Sequence, residues 1–522
     1  MSNKEISQEE FFLQRKEQIN EAKKEGMEIY PHKFFVLNSL TEILETSSNC
    51  TPAEKSGKRA QSAGRISTIR HHTNFSFMVV TSNGIDLQLI CSKKKGGKEG
   101  KLIKGKESEK CFTEMIEFVK RGDIIGFCGF PGKSKMGEPS LFADSIKLLS
   151  PCLRVIPSVK NLLTNAETIY RKRHVDLLVN QESRQRFIDR SRIISFIREF
   201  LREKQFLEVE TPMMNIKAGG ASARPFVTHH NELKMDLHMR VAPELYLKQL
   251  VVGGIDRVFE IGKNFRNEGI DLTHNPEFTA IEFYMAYADY EDLMGIVEEL
   301  LSKLVKKLKN SLQFDYVIKK RGEENEEKIT LDFSTPFNRI DILTELSKIL
   351  NIHLTGENIE DPIILQQLIS AAAEKNIEIS EPKTLNRVLD AFIGEFIEPQ
   401  CINPTFVTGF PIAMSPLAKD DRNRPGLTER FEMFVNGKEL VNAYTELNMP
   451  DIQRERFLSQ QKEAEAGDDE AMPNDEDFCQ VLEFALPPTG GCGIGIDRLV
   501  MYLTNASNIR DVILFPTMKP DQ

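Results

Sequence analysis

The chain runs to 522 residues, more than one ordinary core organises, so two or three domains are expected. Its 40% hydrophobic and 28% charged content fits a globular protein in water, and a formal net charge of −10 argues against a generic nucleic-acid coat while leaving room for a local basic face. Polar Met1 to Glu10 lacks the order of a signal peptide, and no apolar run approaches the roughly 20 residues that cross a bilayer. Eight scattered cysteines without a C-x-x-C pair indicate neither a zinc site nor a disulfide framework, so a reducing, cytoplasmic setting without membrane contact is expected.

Ser7-Gln8-Glu9-Glu10 has the form of a capping box, and a helical pattern runs from it to Gly26, a natural stop. From Arg65 the pattern alternates. Phe75, Phe77 and Val79 would share one face of a strand, Asn83-Gly84 is a hairpin turn, and Ile85, Leu87, Leu89 and Cys91 alternate on the way back. Ser92 to Lys110 carries eight lysines against three glutamates and reads equally as a solvated loop or a phosphate-binding segment. Arg121 to Phe127 starts a further strand that Pro131-Gly132 should break, and short strands with glycine turns suggest a small barrel such as an OB-fold. Ser150 to Val159 reads as a linker.

Beyond the linker, Arg186 to Gln205 predicts an amphipathic helix whose buried stripe is Ile188, Ile193, Ile194, Ile197 and Phe200. A strand from Phe206 stops at Pro212. Further strands are expected at Arg257 to Ile261, Phe278 to Tyr284, Phe431 to Val435 and Leu440 to Thr445, a spacing that favours an antiparallel sheet flanked by helices. Glu291 to Pro404 reads as a mostly helical insertion, and Arg321 to Lys328 and Glu463 to Asp477 as exposed charged loops.

Three separated segments could converge on chemistry. The first ends at Pro212, with Gly219-Gly220-Ala221 beyond it. The second, Phe265-Arg266-Asn267-Glu268-Gly269 with His274-Asn275-Pro276-Glu277-Phe278-Thr279, joins an arginine fork for phosphate or carboxylate to a flat ring for a base and to carboxylates for an amine or metal. The third is Gly490-Gly491-Cys492-Gly493-Ile494-Gly495-Ile496-Asp497-Arg498. It lacks the order of a dinucleotide-binding fingerprint, and the chain has no G-x-x-x-x-G-K-[ST] loop.

In this order the three segments resemble motifs 1, 2 and 3 of class II aminoacyl-tRNA synthetases. Val241 to Tyr246, Arg266 to Tyr284, Asn442 to Asn448 and Pro487 to Gly491 resemble class II lysyl-tRNA synthetase in particular, over about residues 60 to 520. The resemblance implies an α+β chain: an N-terminal helical extension (1–55), an OB-fold anticodon-binding barrel (56–155), and a class II catalytic domain (156–522) with a helical insertion at about 291–404. It implies ATP-dependent formation of lysyl-adenylate with release of pyrophosphate, then transfer of lysine to tRNA by a homodimer.

The resemblance also assigns residues. Glu244, helped by Gly220, would take the substrate α-amino group, and Arg266 and Asn442 its carboxylate. Glu446 and Tyr284 would bind the ε-ammonium, with Glu282 and Tyr444 close by. Such a buried ammonium needs paired acids and hydroxyls. Phe278 and Arg498 would sandwich the adenine, Arg266 would reach the α-phosphate, and Asn267, Glu268, His274, Asn275, Leu440 and Gly495 would complete the ATP contacts. Arg266 and Arg498 would be the catalytic arginines. His274 could be taken for a base, but the implied reaction needs none. Glu432 and Glu439 match the carboxylates for Mg²⁺. In the barrel, Arg70, Phe77, Gln88 and Glu138 match positions that read the lysine anticodon, with core packing as the lesser alternative for Phe77. Cys492 stands where many relatives carry tryptophan. An aspartyl- or asparaginyl-tRNA synthetase, the nearest alternative, would need cations or amide contacts where Glu244, Glu282 and Glu446 put negative charge, and usually an acid at Asn267. A binding protein that had lost catalysis would be expected to lack the motif arginines or the barrel.

Overall fold

Asn83 and Gly84 both take positive φ (51° and 81°), the turn geometry that lets the Phe75–Ser82 and Ile85–Ser92 strands pair as a tight hairpin. That hairpin belongs to a closed five-stranded barrel completed by Ala60–His71, Ile124–Lys133 and Pro139–Ser150. Inward residues such as Met78, Val80, Leu87, Leu89 and Phe127 fill it. The computed structural model describes residues 7–93, 108–157, 163–217, 219–319, 326–465, 467 and 471–520. Most of the lysine-rich segment, and residues 321–325, 466 and 468–470 of the two charged stretches, lie outside them. The chain divides into two units, Met1–Gln181 and Glu182–Gln522.

In the first unit the Gln8–Lys24 helix starts on the capping box of Ser7 and Glu10. One expectation needs correction. Pro131 and Gly132 lie inside the Ile124–Lys133 strand, because pairing with Ala60–His71 ends at Gly129 and the proline's missing N–H is not needed on that side. Phe77 is not a core residue: Ser76, Met78 and Val80 point inward, so Phe75, Phe77 and Val79 occupy the outer face.

The second unit is built on an eight-stranded sheet. Its order is Asn338–Asp341, Thr405–Thr408, Arg430–Val435, Lys438–Thr445, Thr489–Gly495, Glu277–Ala286, Arg257–Phe265 and Leu207–Glu208. Both edge pairs are parallel and the pairs between them antiparallel. One face packs on helices Gln181–Glu203, Tyr290–Lys309 and Ile496–Thr504, burying Phe259, Ile281, Phe283, Phe431, Met433 and Val441. The first of these helices starts before the predicted Arg186. Ile188 is exposed rather than part of its buried stripe, since five residues place it about 140° around the helix from Ile193. The strand expected from Phe206 to Pro212 shrinks to Leu207–Glu208. Between 291 and 404 there are helices, but also the Gln313–Lys319/Glu326–Asp332 hairpin and the Asn338–Asp341 edge strand. The ends of 463–477 are helical, in Pro450–Glu465 and Glu476–Leu482. No helix among the described residues is long and apolar enough to cross a membrane.

Candidate active site

Strand alternation sorts the sheet into a core face and a cleft face. Where Ile281 and Phe283 face the helices, Phe278, Ala280, Glu282 and Tyr284 line a cleft of about 620 Å³. Register then aligns side chains from neighbouring strands. One row runs Glu282, Gly493, Asn442, Glu432, and the next Tyr284, Gly491, Tyr444, Arg430. The central strand contributes only glycine to the cleft face, at 491, 493 and 495, while Cys492 and Ile494 go into the core. A ligand can therefore lie directly on backbone. Gly491 is the tightest point: a Cβ there would overlap Glu446 Oε1 and the Tyr284 ring.

The acidic end of the cleft is a connected network of buried groups. Glu244, first residue of the Glu244–Val252 helix, accepts from the Tyr444 hydroxyl at 2.6 Å and pairs through its other oxygen with Lys248 Nζ at 2.6 Å. Lys248 also pairs with Glu446 Oε2, and both side chains are fully buried. Glu446 Oε1 has no hydrogen-bond partner. Burial alone would lower the Lys248 pKa, but Glu244 and Glu446 together hold it above the ordinary ammonium value. Tyr284 donates to Glu282 at 3.2 Å. Burial keeps both tyrosine hydroxyls protonated, and with the charge of Glu244 it pushes the Glu282 carboxyl up to about 8, against the pull of Tyr284, Arg266 and Arg240. Gly220, at φ 89°, approaches the Glu244 Cβ closely.

The arginine end is looser. Arg266 follows the Arg257–Phe265 strand, lies 5.1 Å from the Phe278 ring centroid, and leaves its buried Nε without a partner. Asn275 Oδ1 is likewise unpartnered. Arg498 donates to the Glu439 carbonyl at 2.6 Å and to His274 Nε2 at 2.9 Å. Because a guanidinium can only donate, His274 carries its proton on Nδ1 and gives it to Asp271 at 2.8 Å. Burial opposes ionisation of Asp271, but hydrogen bonds from Thr273 and His274 outweigh it and bring its carboxyl to about 2. Glu268, Leu440 and Gly495 also line the cleft. Asn267 does not; its N–H donates to the Arg224 carbonyl at 2.8 Å.

Glu432 and Glu439 sit on adjacent strands and both line the cleft. Glu432 pairs with Arg430 at 2.5 Å. Among the described residues no cluster of three or more ligating side chains forms a complete metal cage. Two hard carboxylates do fit Mg²⁺, which takes one or two carboxylates and completes its shell with water and phosphate oxygens.

In the barrel, Arg70 is the register partner of Phe77, and Val79, two residues on, partners Gln88. Gln88 donates to Ser140 Oγ at 2.9 Å, which in turn donates to the Glu138 carbonyl. The four predicted residues thus follow one path over neighbouring strands, with Arg70 and Glu138 exposed and Phe77 edge-on to His72 at 5.6 Å.

Sequence reasoning missed Lys248, Arg430 and Asp497. The last accepts from Arg190 and from the Thr279 N–H, and so ties the final helix to the Phe278 strand. Lys248 had a signal, a Glu–Lys pair four residues apart on one helical face.

The family model for class II tRNA synthetases (D, K and N) matches residues 165–519. A probable cytoplasmic lysine–tRNA ligase of Enterocytozoon bieneusi is 63% identical over 521 residues, covering 100% of this chain and 99% of that one. A probable cytoplasmic lysine–tRNA ligase of Encephalitozoon cuniculi is 55% identical over 520 residues, at 100% and 99% coverage. A bacterial lysine–tRNA ligase, from Carboxydothermus hydrogenoformans, is 42% identical over 506 residues and 97% of each chain. With its barrel, its glycine-floored cleft and these relatives, the chain belongs to the class II lysyl-tRNA synthetases.

Proposed function

We propose that the chain is an ATP-dependent lysine–tRNA ligase acting in the cytoplasm, as its relatives' names state for two of them. The observation that carries this reading is one cleft floor joining an end rich in buried acids to an end of unpartnered polar groups. The substrate has two ammonium groups and one carboxylate, and ATP is polyanionic, so the two ends complement the two reactants.

Glu244 and Glu446 share the Lys248 ammonium, one carboxylate oxygen each. Glu244, beside Gly220, takes the α-ammonium; Glu446 and Tyr284 form the ε-ammonium end, with Glu282 and Tyr444 close by. Arg266 and Asn442 hold the carboxylate.

In the first step a lysine carboxylate oxygen attacks the ATP α-phosphate in line. A P–O bond forms, the bond to pyrophosphate breaks, and lysyl-adenylate results. Arg266 stabilises charge at the α-phosphate, and Phe278 and Arg498 hold the adenine, so positioning and fixed charge supply most of the acceleration. Glu432 and Glu439 would hold Mg²⁺, which neutralises phosphate charge when bound. The ribose hydroxyl at the tRNA 3′ end then attacks the acyl carbon and releases AMP.

Arg70, Phe77, Gln88 and Glu138 read the anticodon, with Phe77 as a stacking platform. Exposed Met214, Ile216, Val227 and Leu233 support a homodimer contact around the first motif. ATP–pyrophosphate exchange across the twenty amino acids tests the central reading: lysine alone should support it, and exchange driven by aspartate instead would overturn it. Phe77→Ala should raise the KM for tRNA by about tenfold with tRNA-independent exchange unchanged. Equal loss of both would remove Phe77 from tRNA recognition.

A further inference from the structure

Arg430 lines the cleft, yet it directs its donors at the protein. Its Nε donates to Asn442 Oδ1 at 3.2 Å, its Nη1 to the Met414 carbonyl at 2.6 Å and Ser415 Oγ at 3.0 Å, and its Nη2 to Glu432 Oε1 at 2.5 Å. Four of its five N–H groups are thus engaged. The guanidinium also lies 4.4 Å from the Phe410 ring centroid, so one of its faces is covered. Strand register sets this arrangement, pairing Arg430 with Tyr444 and Glu432 with Asn442.

The amide of Asn442 has two ends that a carboxylate would meet very differently. Its Oδ1 would oppose a carboxylate, acceptor against acceptor, whereas its Nδ2 can donate to one. An arginine N–H only donates, so the atom it meets is Oδ1, and Nδ2 is the end left to the cleft that Asn442 lines. Among the described residues no protein acceptor takes Nδ2. We propose that Arg430 is a positioning residue for the lysine carboxylate: by holding Asn442 through Oδ1 it commits the amide to donating toward the substrate. Its own bonds to Met414, Ser415 and Glu432 keep it from turning onto the substrate itself. The proposal rests on the reading that Asn442 meets the substrate carboxylate.

A lysine at this position would keep the positive charge but not the planar fork, so Asn442, Met414 and Glu432 could not all be met at once. Asn442 would then present either end, and the substrate carboxylate would lose a donor that is otherwise in place beforehand. An analogue with a hydroxyl in place of the carboxylate is indifferent to this change, because a hydroxyl pairs with either end of an amide. The effect is therefore expected on L-lysine and not on L-lysinol. A general loosening of the cleft would not separate the two.

The experiment measures, on the full chain at saturating Mg²⁺, the KM for L-lysine in ATP–pyrophosphate exchange and the inhibition constant of L-lysinol against it. Arg430→Lys should raise the lysine KM by about tenfold, the scale of one hydrogen bond to a charged group, and leave the L-lysinol constant within about twofold. In an Asn442→Ala background the same substitution should change the lysine KM by less than about twofold, because the group it acts through is gone. A parallel rise for lysine and L-lysinol would overturn the inference. So would an unchanged lysine KM, or a rise that persists in full without Asn442. Should Arg430→Lys fail to fold, a crystal structure of the unaltered protein with L-lysine decides. Arg430 Nε on Asn442 Oδ1, with Nδ2 on the substrate carboxylate, upholds the assignment; Arg430 turned onto the substrate, or Nδ2 turned away from it, overturns it. Lack of lysine-dependent exchange in the unaltered protein would instead refute the functional reading itself.

Discussion

The two ends of the cleft are built on opposite principles. At the acidic end, Glu244, Lys248, Glu446 and Tyr444 form a buried network that exists before any ligand arrives and leaves Glu446 Oε1 open. At the arginine end, Arg266 Nε and Asn275 Oδ1 have no partner, and Arg498 leans on a half-exposed His274–Asp271 pair. In the proposed reading the acidic end takes the substrate's ammonium and the arginine end takes ATP, and the difference follows from that. A small cation must be told from close isosteres, which calls for fixed, desolvated groups. A triphosphate is recognised by charge and by a flat ring, and its own contacts can complete the site.

The sharpest way to break this comparison is Arg266→Ala. It should lower lysine-dependent exchange by about a thousandfold or more, the scale of losing a transition-state charge donor. Retained exchange would mean the arginine end is not where chemistry occurs. Glu446→Gln comes next, with the lysine KM raised by roughly ten- to a hundredfold, the scale of a hydrogen bond to a charged group. An unchanged KM would remove Glu446 from the ε-ammonium end.

The third effect is a pH dependence. Glu282, facing Glu244, Tyr284, Arg266 and Arg240, has its carboxyl raised to about 8 in the empty cleft. Below that pH it holds a proton that an arriving ammonium must displace. Lysine KM should therefore fall as pH rises toward 8, by at most about tenfold per pH unit, and level off above it. A flat profile below 8 would show that Glu282 is already ionised. The smallest effect belongs to Asp271→Asn, which touches an exposed pair and should change the KM for ATP by less than about threefold. A larger change would show that the loose end is more organised than its exposure suggests.

Local physics made much of this legible in the sequence. Asn83-Gly84 dictates a hairpin by itself, and Ser7 with Glu10 caps a helix by itself. The motif arginines and glycines were readable only through their resemblance to the family's motifs, which local physics alone would not have assigned. What escaped depended on the neighbours of a residue. Pro131 continues its strand because the partner strand has already left. Lys248 sits four residues from Glu244 on a helix, a pattern usually found on solvated surfaces. Only the fold brings Glu446, nearly two hundred residues later, to the same ammonium.

Gly491 has a consequence for the history this cleft can have. Every amino acid other than glycine adds a Cβ, and here that atom would collide with Tyr284 and with a Glu446 already tethered by Lys248. No substitution at 491 can be tried without also displacing Glu446 and Tyr284, the pair proposed to meet the substrate's side chain. A lineage drifting toward another amino acid would have to change two or three positions together before gaining anything. The hydrogen atom of one glycine thus acts as a lock on the meaning this enzyme gives to its codons.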